Sequence, residues 1–148
     1  MDNFLIEDDD IKIKKFEKSY FKYFKNFSPY DDILLTDYNL CFLTESEIKN
    51  WEKRIKSKKN NYFAIFFKDI LIGYISISRI SFLNSNFELS LCLDEKFCSK
   101  GYGFKSLRLF LEYYFENFDK YSIWLNVNAF NQRAIHLYEK IGFEKISE

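Results

Sequence analysis

A chain of 148 residues is long enough to bury a sizeable core and fits a single domain over residues 1–148. Its 22 basic and 22 acidic side chains cancel, so no basic field invites nucleic acid, and no segment approaches the ~18 apolar residues of a membrane helix. Three Cys without close pairing make no disulfide framework and fit a reducing cytoplasm, and Met1-Asp2-Asn3-Phe4 lacks the basic start and apolar run of a secretory signal.

Residues 1–10 end in Asp8-Asp9-Asp10 and read as a solvated arm. Ile11-Lys12-Ile13-Lys14 alternates and predicts a first strand. Phe16, Tyr20, Phe21, Phe24 and Phe27 take helical spacing, and Ser28-Pro29 stops that helix. Residues 29–43 form a long connection, of a length that is usually functional or mobile. Thr44-Glu45-Ser46-Glu47 is a capping box that opens a helix with Ile48, Trp51 and Ile55 inward and a basic rim outward. Tyr62–Phe67 and Ile70–Ile80 are apolar strands separated by Lys68-Asp69, the spacing of a hairpin, although Lys-Asp is not a favoured type I′ pair. Ser81 to Asn86 turn the chain into the next strand.

Phe87, Leu89, Leu91 and Leu93 alternate with Glu88, Ser90, Cys92 and Asp94, which is the period of a two-faced strand. After Glu95 to Lys100 comes Gly101-Tyr102-Gly103, and a helix opens directly behind it, with Phe104, Leu107, Leu111, Tyr114 and Phe118 on one side. Strand, glycine turn, helix is an order with a chemical use. The first helical turn carries N–H groups without internal partners, and glycine lets a phosphate approach them. The plainer reading is that two glycines merely join two elements, and the residues beyond this helix decide between the two. Ile123, Leu125 and Val127 alternate within a strand from Tyr121 to Asn128. Asn131 then stands as N-cap of a helix with Ala134, Leu137, Tyr138 and Ile141 inward and Gly142 as its stop, and Phe143–Ile146 begins another extended piece.

Cys98-Ser99-Lys100-Gly101-Tyr102-Gly103 resembles the acetyl-CoA pyrophosphate loop of the GCN5-related N-acetyltransferases, the GNAT superfamily, whose pattern is Gln/Arg-x-x-Gly-x-Gly/Ala. The run from Asn131 through Ala134, Ile135 and Tyr138 to Gly142-Phe143 resembles that family's second signature, in the family's order and at its usual separation. Residues 70–143 are similar in style to the RimJ/RimL and spermidine acetyltransferase branch. The resemblance implies an α/β fold with a mixed, mostly antiparallel sheet, flanked by helices, whose fourth and fifth strands splay apart to admit the pantetheine arm. It implies acetyl-CoA (CoA) as cofactor and a primary amine as acceptor: a small amine, a polyamine or a protein N-terminus. It assigns the cofactor to Leu91 and Leu93, to the run Cys98, Ser99, Lys100, Gly101, Tyr102, Gly103 and Phe104, and to Asn126, Asn131 and Tyr138.

Transfer to an amine needs a neutral amine, a donor for the oxyanion and a proton for the departing thiolate. Tyr138 matches the family's general acid, although its place on the buried stripe would equally suit a core aromatic. Glu88, on the polar face of its strand, is placed to receive the amine's proton through water or simply to face solvent. Asn131 serves as cap, as cofactor contact, or as both. The Leu93 N–H is a candidate oxyanion donor. His136 falls on the polar side of the last helix and reads as exposed and non-catalytic. Cys41, Cys92 and Cys98 lack a paired His base, and no ligand cluster suggests a metal.

Two departures stand out. Cys98 occupies the position where the family prefers Gln or Arg, and Glu148 falls barely into the sixth strand, without the family's last hairpin partner. The resulting unpaired edge beside Ile123–Val127 predicts a homodimer, another covering segment or a shortened chain. A dinucleotide-binding reading of Gly101-x-Gly103-x-x-Ser106 fails, because the next strand ends Asn126-Val127-Asn128 without the acid that would hold a ribose. A catalytically silent acetyl-CoA sensor or interaction module with the same fold remains the alternative.

Overall fold

The computed structural model describes residues 5–32, 34–35, 39–80, 86–117 and 122–146. The expected turn at 81–85, Phe118 at the end of the long helix, Tyr121 and the terminal residues lie outside these.

Among these residues six strands form one sheet in sequence order: β1 (Leu5–Asp8), β2 (Ile11–Lys15), β3 (Asn60–Phe67), β4 (Ile70–Arg79), β5 (Asn86–Leu93) and β6 (Ser122–Trp124). All neighbours are antiparallel except β5 and β6, which run parallel. Among the described residues three α-helices flank the sheet: α1 (Glu45–Lys56), α2 (Tyr102–Asn117) and α3 (Gln132–Ile141).

The alternation of β5 divides its side chains between two cores. Phe87, Leu89 and Leu93 join Ile75, Ile77, Leu107, Phe110 and Tyr114 under α2 and α3. Cys92 faces the opposite side, where Phe16, Phe21, Phe24 and Trp51 gather. Trp51 is the hub of that second core, its ring lying 5.0 Å from Tyr74, 5.3 Å from Tyr62 and 6.2 Å from Phe24.

Three sequence expectations away from the site change. Residues 5–8 are not a free arm: they pair with β2 as an edge strand, Asp9 turns the corner at φ 49°, and Asp9 meets Lys105 at 3.0 Å. Ile6 packs on the first core, and that anchoring outweighs the local polarity. The expected helix over 16–27 is a 3₁₀ segment, Lys18–Asn26, with Phe16 instead donating its N–H to the Tyr62 carbonyl. Phe21, Phe24 and Phe27 recur every three residues, which is the repeat of a 3₁₀ turn, and all three are buried. Finally, Phe143–Ile146 joins no ladder among the described residues.

Other expectations hold. The capping box is present, with Thr44 Oγ1 accepting from the Glu47 N–H at 3.3 Å and Glu47 Oε1 accepting from the Thr44 N–H at 3.1 Å. The β3–β4 hairpin forms around Lys68 and Asp69, both with positive φ (46° and 66°), as a type I′ turn requires. Here the long ladder of two apolar strands overrides poor turn chemistry. A register shift at Ile65/Phe66 leaves Ile72 as the extra residue of β4.

The feature that shapes the site is the short β6. Its parallel register covers only Asn86↔Ser122, Phe87↔Ile123 and Glu88↔Trp124. Beyond Glu88, β5 continues to Leu93 beside β4, while the chain after Trp124 is no longer in a ladder. The expected strand to Asn128 therefore stops early because its partner has diverged. A gap opens between residues 89–93 and 125–128.

Candidate active site

A cavity of about 280 Å³ occupies this gap. Leu91, Cys92 and Leu93 line it from β5, Asn126 and Val127 from the diverging segment, and Cys98, Ser99, Gly101, Gly103 and Phe104 from the turn into α2. Helix α3 closes it with Asn131, Arg133, Ala134, His136, Leu137, Tyr138 and Lys140. Most residues singled out from the sequence thus meet at one place.

The turn before α2 is built from two left-handed residues, Ser99 at φ 60° and Gly101 at φ 88°. Nothing lies within 4 Å of where a Gly101 Cβ would stand, so this glycine answers a conformational need and not a spatial one. Gly103 is different. An added Cβ would sit 3.2 Å from Leu93 Cδ1 and 3.4 Å from Leu137 Cδ2, so its smallness lets α2 pack against β5 and α3. Sequence reasoning alone would have given Gly103 to the phosphate path. The Gly103→Val variant is expected to push α2 outward, lowering thermal stability and weakening CoA binding together. Calorimetry and a melting curve that both match the parent would contradict this.

Tyr138 is 9% exposed and faces both the first core and the cavity. Its helix ends just behind it in a Schellman arrangement: the Phe143 N–H donates to the Tyr138 carbonyl at 3.0 Å, the Gly142 N–H to Glu139 at 3.1 Å, and Gly142 takes φ 124°. The Phe143 ring packs on Tyr138 at 5.9 Å. Asn131 caps the same helix, its Oδ1 accepting from the Ala134 N–H at 3.3 Å.

Three expected residues stand apart. Glu88 is exposed outside the cavity lining, at the last β5 position paired with β6, where its Oε1 accepts from Asn126 Nδ2 at 3.4 Å. Lys100 is exposed. Tyr102 turns its ring onto Phe67, 4.5 Å away, so from this residue the backbone and not the ring faces the turn. His136 is exposed as expected, but it lines the cavity rim with Lys140. Cys92 is buried and burial pushes its thiol up to about 12, so it is no nucleophile near neutral pH. Burial also raises the Cys98 thiol.

Sequence reading missed Tyr30 and Arg133. Arg133 donates to Glu95 Oε2 at 3.0 Å and to Ser99 Oγ at 3.4 Å, holding a guanidinium beside the glycine turn. Its signal lay inside the second motif, one residue before Ala134. Tyr30 comes from the long connection, its ring beneath the Arg133 guanidinium at 5.7 Å. Length and the lone proline marked that connection, but nothing marked this residue.

A family model described as an acetyltransferase (GNAT) domain matches residues 32–144. The spermidine N(1)-acetyltransferase of Escherichia coli (strain K12) is 24% identical over 93 residues, covering 63% of this chain and 50% of that protein. The chain spans about half the length of the curated relatives it matches. Among solved structures, an acetyltransferase (GNAT family) from Bacillus anthracis superposes with TM-score 0.79 at 21% identity, over 97% of this chain and 86% of that one. The spermidine N-acetyltransferase from Vibrio cholerae in complex with CoA and spermine gives TM-score 0.75 at 20% identity, over 93% and 83%.

Proposed function

Because the chain belongs to the acetyltransferase (GNAT) domain family, we propose that it moves an acetyl group from acetyl-CoA to a primary amine by direct attack on the thioester. The observation that carries this reading is the cavity where β5 and β6 part, with Tyr138 at one side and the glycine turn at the other.

In this reading the N–H groups of residues 99–104 take the pyrophosphate, helped by the Arg133 charge and the partial positive end of α2. Lys100 and Tyr102 contribute backbone only. The pantetheine arm runs along Leu91 and Leu93, and Asn126 and Asn131 meet it from the other side. Replacing Gln or Arg by Cys98 is tolerable because the loop offers N–H donors whatever the side chain. Tyr138 delivers a proton to the leaving sulfur. Glu88 receives the amine's proton through water, its exposure leaving it reachable.

The test is CoA release from acetyl-CoA with a panel of amines. Spermidine and spermine belong first, because the E. coli and V. cholerae proteins are named for or bound to them; small amines and peptide N-termini come next. Tight acetyl-CoA binding with no release for any amine would leave the silent binding module instead. No helix among the described residues is long and apolar enough to cross a membrane, and a cytoplasmic setting suits the free cysteines.

Self-association is part of the same reading. The outer edge of β6 has no ladder partner among the described residues, and Trp124 on that strand stands exposed. A homodimer covering this edge is expected in light scattering, and a monomer at every concentration would remove it.

A further inference from the structure

The peptide that joins Leu93 to Asp94 is fixed from both sides. The Asp94 N–H donates to the Ile72 carbonyl of β4 at 2.7 Å. A trans peptide points its carbonyl the opposite way. The Leu93 carbonyl therefore faces away from β4, towards the gap that β6 has left. There it is met by the Tyr30 hydroxyl, which donates to it at 2.6 Å.

In an extended strand a residue's N–H and carbonyl point to the same side. The Leu93 N–H therefore faces the gap as well. Without Tyr30 this stretch of β5 would present a donor and an acceptor side by side, and the acceptor's negative end would oppose any oxygen approaching the donor. With Tyr30 in place the carbonyl is already taken, and the N–H acts with little opposition.

Tyr30 is held for this task. Its own N–H donates to Asn39 Oδ1 at 2.6 Å, and two residues earlier the Ser28 N–H donates to the buried Asp94 carboxylate at 2.8 Å. The Arg133 guanidinium covers its ring. Burial raises the phenol well above its ordinary range, so it stays a donor at neutral and alkaline pH.

We propose that Tyr30 is a positioning residue for acetyl transfer, which caps the Leu93 carbonyl so that the Leu93 N–H can polarise the thioester oxygen in the gap. This rests on the acetyltransferase reading and deepens it: Tyr30, which lines the cavity, acts on the thioester through the Leu93 peptide.

The experiment compares the parent with Tyr30→Phe, which keeps the ring and its Arg133 contact and removes the hydroxyl. Acetyl-CoA carrying ¹³C at the thioester carbonyl is bound without amine, and its infrared band is recorded. The parent is expected to shift the band to lower frequency than in water, and Tyr30→Phe to return it towards the free value. Turnover should fall about tenfold, less than the 10²–10³-fold typical of deleting an oxyanion donor outright. KM for acetyl-CoA and for the amine should stay within about twofold, whereas a merely structural role would raise KM and leave the bound band where it was. An unchanged band and unchanged kcat in a folded Tyr30→Phe overturn the proposal. If that variant does not fold, 3-fluorotyrosine placed at position 30 is used; its stronger donor should move the band further down, and no movement overturns the proposal. A parent protein that binds no acetyl-CoA, or shows no turnover, would sink the acetyltransferase reading itself.

Discussion

Tyr138→Phe is expected to lower kcat by roughly 10²–10⁴-fold, the usual contribution of a positioned proton donor, while leaving CoA affinity nearly unchanged. The ring contact with Phe143 survives the substitution, so the fold keeps its packing there. A phenol with an ordinary pKa near ~10 faces a thiol near ~8.5, so full proton transfer to the departing thiolate is uphill by about 2 kcal/mol at ~1.4 kcal/mol per unit. A gap of that size suits a proton shared in the transition state. The measurement is steady-state kinetics with saturating amine under conditions where chemistry limits the rate. Turnover equal to the parent would make Tyr138 a core aromatic and nothing more. Ping-pong kinetics or a trapped acetyl-cysteine would replace direct attack by covalent catalysis, although the buried, unionised Cys92 thiol is poorly suited to that role.

The second large effect comes from a glycine far from any motif. A Cβ on Gly73 would lie 2.2 Å from the Cys92 carbonyl oxygen and 2.9 Å from Leu93 Cα. Both atoms belong to the backbone of the strand opposite, so no side-chain rotation relieves the clash. Gly73→Ala must push β4 from β5 at the register pair Gly73↔Leu93. Overpacking of this kind costs about 3 kcal/mol, or roughly 10 °C in Tm for a chain of this length. It also moves the Leu93 peptide, so the residual folded protein should lose most of its turnover. A melting curve coincident with the parent would show that the strands can part without cost, and would remove this explanation of Gly73.

The central elements were legible because their signals are local. The alternation of β5, the glycine turn and the stripe of α2 are periodicities read within a few residues. Asn131 and Gly142 mark the ends of α3 by equally local chemistry. The hidden features depend on distant partners. Tyr30 owes its place to the Leu93 carbonyl, 63 residues away in sequence. Asp94 read as the last polar position of a strand, yet it is 2% exposed and ties Ser28 and Lys96 to the end of β5. The β1 strand was missed because its four residues are only half covered and gain their order from β2 and α2. Gly73 carried no turn signal at all, since its reason is the closeness of a neighbouring strand.

The two tryptophans sit at opposite ends of this architecture. Trp51 is 7% exposed at the hub of the second core, beneath the Arg54 guanidinium, whereas Trp124 is 43% exposed at the last rung before β6 and β5 part. The unmodified chain therefore carries two optical reporters of different character. The enclosed indole should emit at short wavelength and resist iodide. The open one should emit further to the red and be quenched readily. Selective quenching divides the signal, so that one component tracks melting of the aromatic hub and the other tracks events at the mouth of the gap, with no label attached.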